Sequence, residues 1–438
     1  MLLLLPAGFA LASCVSYPDR TKEAFQEFRR GDFDAAARSY ADEKTTGSEF
    51  LSGAEAGLAA LAGGDWDGAQ QHLDRAAEAV RDVEDRALVS VESLGESLVA
   101  LTINESLATY EGEGFERVQL HAALALTYLA RGDLDGVWVE ARRANALLES
   151  EEQLYEKKYR AGGLGHFVSA LAYEMLERYD EAYIDYERMV EKDVGTDLAG
   201  RAMVRIASRL NYSDALPGLV ERFGPDLQRP PDAAQIVLVG AVGLGPYKQA
   251  ETLTIPTKDG LLQWSVPSFV SRDQGSGVLE LSITGSTPLR ASVIENVDTI
   301  ARENLSDRIA WLAARTAVRS LLKRELTRQL AKDHDWVGQI AGDIFVLATE
   351  HADTRAWQTL PHTWQAARLF VAPGRHEVVV AGSGERRVLG TYELEAGETM
   401  IVLARDLGGK LYPHAIGGLR VDAPAPENAP ANPATTAP

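Results

Sequence analysis

The chain is almost without cysteine. Its one thiol, Cys14, stands close to the N-terminus. Everything downstream therefore lacks the material for a disulfide, a thiolate metal site or a cysteine nucleophile. Eight histidines are scattered through the chain, and none falls in a His-Glu-x-x-His or other paired spacing, so zinc hydrolysis lacks its ligands. No Gly-x-Ser-x-Gly elbow for a serine nucleophile occurs. Gly243-Leu244-Gly245-Pro246-Tyr247-Lys248 superficially suggests a phosphate loop. Such a loop needs Gly-Lys-Ser/Thr opening a helix, whereas here Pro246 and Tyr247 intervene and a strand follows, which makes it a turn. Positive charge is also short, with 44 basic against 64 acidic residues and a net charge of −20. That balance excludes a nucleic-acid partner and broad adhesion to anionic lipid. Beyond the first residues no uncharged apolar run reaches the roughly 20 residues of a membrane-spanning helix. No catalytic residue, metal or cofactor is expected.

What is present begins with Leu11-Ala12-Ser13-Cys14 at the end of an apolar run that starts at residue 2. A short hydrophobic segment, two small residues and then a thiol form the pattern of a bacterial lipoprotein signal, with residues 1–14 as the signal and Cys14 as the lipidated residue. No Lys or Arg precedes the run, which suggests a translation start further upstream. Residue 15 is Val rather than Asp, which in a Gram-negative host resembles lipoproteins released to the periplasmic face of the outer membrane. One diacylglycerol thioether would supply a stable anchor, because two acyl chains hold where one is marginal.

From residue 20 to 223 a motif recurs. Gly31-Asp32-Phe33-Asp34-Ala35-Ala36 returns as Gly64-Asp65-Trp66-Asp67-Gly68-Ala69 and as Gly132-Asp133-Leu134-Asp135-Gly136-Val137. Weaker copies follow at Arg178-Tyr179-Asp180-Glu181-Ala182 and Tyr212-Ser213-Asp214-Ala215. The offset from 31 to 64 is 33, and that from 64 to 132 is 68, twice 34. This period, with a Gly-Asp-aromatic turn between two helices, resembles the tetratricopeptide repeat. Glycine would close each first helix in the left-handed region. The wider spacing from 132 to 177 predicts a longer loop near 151–163. In such an array the first helices line a concave face. Counting back from each turn places Leu51, Ala54, Leu58 and Leu61 there, then Gln119, Ala122, Leu126 and Leu129, then Leu164, Phe167, Leu171 and Met175. An apolar groove needs a cover. Two occupants fit: the chain's own C-terminal half, or a segment of a partner protein read by Leu126, Leu129, Phe167 and Leu171.

Gly224-Pro225 and Arg229-Pro230-Pro231-Asp232 end the helical pattern. A second region, 233–421, follows. Short Val/Ile/Leu-rich runs at 235–242, 251–255, 261–266, 278–283 and 290–297 read as strands. A helix capped by Ser306 and running to about 332, with Arg308, Arg315, Arg319 and Lys323 near one face, comes next, and a second opens at Asp335. Strands resume at 365–371, 377–381, 387–393 and 398–404, suggesting a small antiparallel sandwich. Residues 422–438 are Ala/Pro-rich and expected to be disordered. The expected architecture is thus multidomain: an all-α tetratricopeptide-like solenoid, then an α+β region ending in a small antiparallel β-sandwich.

Three further segments carry distinctive patterns. They are Tyr110-Glu111-Gly112-Glu113-Gly114-Phe115-Glu116 before Val139-Glu140-Ala141-Arg142-Arg143-Ala144-Asn145; Gly243-x-Gly245-Pro246-x-Lys248; and Ala352-Asp353-x-Arg355-x-Trp357-x-x-Leu360-Pro361. In this order they resemble a family of uncharacterised bacterial lipoproteins with an N-terminal tetratricopeptide array and a mixed C-terminal domain. The resemblance spans nearly the whole mature chain. No enzymatic activity is established for that family, and some members look to be encoded near lipoproteins that regulate peptidoglycan synthases, which points toward envelope assembly. Read as structure, Asp353 and Arg355 pair and cap a helix end, Trp357 plugs a seam between helix and sheet, and Glu116 forms a buried bridge to Arg143. Read as a site, Arg142 or Arg143 recognises a carboxylate. The leading functional expectation is a non-enzymatic scaffold tethered in the cell envelope and binding an envelope protein or peptide. The alternative is a glycan-binding protein or hydrolase with a site near Glu116, Asp353 and Arg355. Labelling with a palmitate analogue tests the anchor: label should enter the chain and vanish in Cys14→Ser, and undiminished labelling of the variant would remove the lipid reading.

Overall fold

A computed structural model describes residues 16–89, 109–226, 229–230, 232–257, 260–272, 277–311 and 352–422. Cys14, the tail, Arg315, Arg319, Lys323 and the helix expected from Asp335 lie outside the described residues.

The N-terminal half forms five antiparallel helix pairs. After a single turn α1 (Tyr17–Arg20), α2 (Lys22–Arg30) pairs with α3 (Phe33–Ala41). A short α4 (Glu43–Thr46) leads to α5 (Glu49–Gly63) with α6 (Trp66–Val89), and then α7 (Gly114–Arg131) with α8 (Leu134–Tyr155). The last two pairs are α9 (Gly163–Met175) with α10 (Tyr179–Glu191) and α11 (Thr196–Leu210) with α12 (Leu216–Phe223). The repeat glycines act as read from the sequence: Gly31, Gly64 and Gly132 close their helices at φ +87°, +83° and +75°. The degenerate copies use Glu177 and Asn211 at positive φ instead. The aspartates after glycine begin the next helix, Asp65 accepting from Gly68 N and Asp133 from Gly136 N, each at 2.9 Å. The extra residues expected as a loop near 151–163 are partly helical, because α8 continues to Tyr155 before the chain turns.

The C-terminal strands form three layers with the helices. One mixed sheet has the order β11-β10-β1-β7-β6, from Leu411–Ile416, Thr399–Asp406, Ala234–Val242, Thr363–Val371 and Ser292–Asn296. An antiparallel sheet has the order β12-β9-β8-β4-β5, from Leu419–Arg420, Arg386–Leu394, Gly374–Ala381, Glu280–Ile283 and Leu289–Arg290. Strands β2 (Tyr247–Thr257) and β3 (Gly260–Val270) form a separate hairpin. The period of two divides the mixed sheet cleanly. Val237, Val239, Ala241, Trp364, Ala366, Ile401 and Leu403 face the helical core. Ile236, Leu238, Ala367, Met400 and Val402 face Leu279, Leu281, Val378, Val380 and Leu394 of the antiparallel sheet. Because β1 is covered on both faces, its sequence is a continuous apolar run rather than an alternation.

Two expectations change. The last strands do not make a purely antiparallel unit by themselves: β1 inserts between β7 and β10 and runs parallel to β10, so the first strand of the region closes a sheet begun by the last. The helix assigned an N-cap at Ser306 begins at Val297, and its described part, α13, spans 297–311. Asn296 Oδ1 caps it by accepting from Thr299 N at 3.0 Å.

The groove is filled from within. One hydrophobic cluster runs from Tyr17 in α1 through α9 to Leu403 in β10, so the helical array and the strand region share a core. Leu126, Leu129, Phe167 and Leu171 are all at most 2% exposed. Helices α5 and α9 are buried nearly all round, packed by a helix on one side and the sheet on the other. Truncating Phe167 to Ala should therefore cost about 3–5 kcal/mol in urea unfolding of the full chain, the range for emptying a core aromatic site. A loss under about 1 kcal/mol would mean that the groove is solvent-filled.

Candidate functional site

The distinctive segments converge at the seam between array and strands. Glu113 precedes α7 and Glu116 sits in its first turn, where the two close a capping box; Glu116 Oε2 accepts from Glu113 N at 2.9 Å. The same oxygen accepts from Tyr110 Oη at 2.6 Å, and Oε1 accepts from Trp357 N at 2.8 Å. Lys248, brought in by β2 directly after Gly245-Pro246, pairs with Glu113 Oε1, and Arg308 of α13 holds Glu113 Oε2 at 2.6 Å. Gly245 N donates to Leu360 O at 2.7 Å, and a Cβ at Gly245 would stand 3.3 Å from Pro361 O. Asp353 and Arg355 pair at 2.7 Å, with the guanidinium 5.1 Å from the Tyr110 ring centroid. A second carboxylate completes the seam: Glu55 of α5 accepts from Gln358 N at 2.7 Å, Thr359 N at 2.9 Å and Tyr17 Oη at 2.8 Å.

Electrostatics match a closed joint. Burial pushes the Glu113 carboxyl upward, but Arg308 and Lys248 overturn that and hold it at about 2. Burial raises Glu55 to about 7, against three donors that favour its ionised form. Glu116 is raised too, again by burial first. Glu116 and Glu55 are fully buried, Trp357 is 1% exposed and Lys248 3%. The residues thus come together as expected of a site, with Glu113, Glu116, Glu55 and Lys248 packed inside and Asp353, Arg355 and Arg308 part-buried at the margin.

The bridge expected between Glu116 and Arg143 does not form. Arg143 reaches the other way, to Glu84 at 2.8 Å and Asp85 at 2.9 Å. There it joins His121, whose Nε2 contacts Glu84 at 3.0 Å and whose Nδ1 contacts Glu140 at 2.5 Å. Asn145 Nδ2 meets His166 Nδ1 at 3.1 Å, linking α8 to α9. Arg142 lies on the outer surface over the Trp138 ring, 4.7 Å from its centroid. The four leucine and phenylalanine positions expected to read a partner are core residues: the mixed sheet occupies their groove and leaves a space of only about 30 Å³ against Leu126. Of the four, Phe167 also lines a separate, larger cleft.

A different opening was not anticipated from the sequence. Between α11, the residues just after α12 and the free end of the mixed sheet lies a cleft of about 420 Å³, lined by Arg201, Arg205, Arg229, Arg290 and Arg368. Phe370, Leu198 and Leu369 supply its apolar wall. Beneath it Glu174 binds Arg368 at 2.7 Å, Arg205 at 2.5 Å and the Tyr186 hydroxyl at 2.6 Å. Burial raises that carboxyl, but the two arginines bring it down to about 2. Asp197 and Asp226 pair with Arg201 and Arg229 at the rim. Arg290 is exposed and has no ion pair among the described residues. Only the spacing of Arg201 and Arg205 on one helix face was visible beforehand; the other three arginines arrive from separate elements.

No family model and no curated protein matches the chain. Among solved structures it is similar to the one described as the crystal structure of MamA protein, at 13% identity and a TM-score of 0.34, covering 47% of this chain and 89% of that one.

His121 yields a pH prediction. Burial lowers its pKa, but hydrogen bonds and charge from Glu140 and Glu84 outweigh this and raise it to about 9. With a folded pKa above the unfolded value of about 6.5, the stabilisation is complete below pH 6.5 and fades as pH climbs through 9. Relative to His121→Gln, the wild type should lose on the order of 2–4 kcal/mol of unfolding free energy between pH 6 and 9.5. Parallel stability curves for the two proteins would show that His121 is not charged in the fold.

Proposed function

We propose that this chain is a non-enzymatic protein-binding scaffold of the bacterial cell envelope, held by lipid at Cys14 at the periplasmic face of the outer membrane. The observation that carries the reading is the division of surfaces. Stacked helix pairs of the kind that bind polypeptides have their groove filled by their own sheet, while the arginine cleft stays open at the far end of the array. The described body begins at Ser16, and Tyr17 is already buried with its hydroxyl on Glu55. Three residues from thiol to Tyr17 span at most about 10 Å, so an anchor at Cys14 would hold the first helix pair close to the lipid. The cleft lies beside the last pair, where a partner has room.

The motif knot supports a scaffold rather than an enzyme. A hydrolase or glycan site at Glu116, Asp353 and Arg355 needs a path for substrate, whereas Glu116 is sealed beneath the Trp357 backbone. The polar seam is better suited to lock two kinds of layer into one body. The family resemblance in the sequence points toward envelope assembly and agrees with this role.

The test is photo-crosslinking in intact cells, with a photoreactive residue replacing Leu289 or Arg290 at the cleft, or Ile184 on the outer face of α10. Protein adducts should form from the cleft positions and be absent from Ile184. Adducts from Ile184 alone would place the binding face elsewhere and sink this assignment.

A further inference from the structure

We propose that the arginine cleft binds its partner by strand addition: an extended, carboxylate-bearing segment of the partner pairs with the free edge of β7. The inference rests on the protein-binding reading and names the chemistry of that contact. Strand β7 runs from Thr363 to Val371 and pairs with β1 along its whole length. On its other side β6 covers only Thr363 to Ala366, where the register ends at Ser292 opposite Ala366. One residue earlier the chain leaves for the other sheet. Ala291 N donates to Leu279 O at 2.8 Å, and Arg290 pairs with Glu280 of β4. Among the described residues no strand therefore continues beside Ala367, Arg368, Leu369 and Phe370, and these four line the cleft.

A strand edge offers unpaired backbone donors and acceptors, which folded proteins ordinarily cover or charge. Here the edge borders a cavity, with Leu369 and Phe370 part-exposed and Ala367 and Arg368 buried in its wall. Four residues at about 3.3 Å each give roughly 13 Å of edge, enough for a short extended segment. The cavity volume of about 420 Å³ falls within the range of real ligand sites.

Charge selects the segment. In a chain of net −20, five arginines line this one cleft, opposed at its rim by Asp197 and Asp226 and beneath it by Glu174. The Arg205 and Arg229 guanidiniums lie over the Phe370 ring, 5.4 Å and 5.0 Å from its centroid, so cations flank the edge where an added strand would run. Glu174 fixes Arg205 and Arg368 in place before any ligand arrives, which lowers the ordering cost of a guanidinium–carboxylate contact. Leu198, Leu369 and the Phe370 ring offer apolar surface to alternate side chains. An alternating acidic and β-branched segment satisfies all three features; a basic one meets like charge.

Fluorescence anisotropy with the full chain decides the matter, using a labelled Glu-Val-Glu-Ile-Glu-Val peptide as probe. Binding should be saturable and should weaken about 10-fold or more in the double variant Arg229→Glu, Arg290→Glu, whose sites lie at the surface. The same peptide with alternate backbone nitrogens methylated should lose binding to a similar degree, and a peptide with Lys in place of Glu should not bind. Equal binding of the methylated peptide would overturn strand addition, leaving a simple anion site. Equal binding by the double variant would overturn the cleft as the location. Absence of peptide binding, with cleft crosslinks still forming in cells, would overturn strand addition and leave the scaffold reading standing.

Discussion

The rest of the structure depends on two buried carboxylates, Glu55 and Glu116, that satisfy the backbone of one irregular segment. Residues 352–362 cross between the helical array and the mixed sheet without helix or strand bonding over most of their length. Backbone N–H groups buried there must find acceptors or cost the fold dearly. Glu116 takes the N–H of Trp357, and Glu55 takes those of Gln358 and Thr359. The segment leads straight into β7, so fixing it fixes where the mixed sheet meets the first helices. Lys248 and Arg308, paired to Glu113, tie β2 and α13 to the same point. Removing one member of such a joint would strand a buried charge, which is why its parts stand or fall together.

Seating the sheet in the groove reassigns the surfaces of the molecule. A repeat array normally offers its concave face, but here that face is core, and its apolar side chains stabilise the chain's own tertiary structure. What stays available is the margin where the sheet outruns its neighbours. Strand β6 is shorter than β7 because the chain must cross at Ala291 into the second sheet. That crossing leaves the edge, and α11 with Arg229 beyond α12 flanks it with arginines. The open site is thus a by-product of how two sheets share one connecting strand.

Much of the local structure was legible in the amino-acid order. The turn glycines, the aspartates that cap the following helices, and nine of the strand runs all follow from short-range preference and periodicity. The paired Asp353 and Arg355 and the seam-filling Trp357 were also read correctly, but among the described residues the pair caps no helix end, Asp353 instead accepting from Arg355 N. Other features were misread for a common reason. Ser306 looked like a cap because serine favours that position, but Asn296 had already begun the helix beside the sheet edge. Arg143 was matched to Glu116, when Glu84 and Asp85 on a neighbouring helix stood closer in space.

By itself, then, the sequence determined the helix pairs, their turns, the strands, and the absence of any thiol downstream of Cys14. These are properties that a few neighbouring residues settle. Only the tertiary structure decided what covers the groove, which sheet β1 enters, that three distant motifs form one buried joint, and that two arginines of α11 share a cleft with three from other parts of the chain. Glu55 and Gln358 are 303 residues apart, and no local pattern records their bond. An apolar face states that it must be covered, and a buried charge that it must be paired. Which partner does so is set by the whole chain's packing.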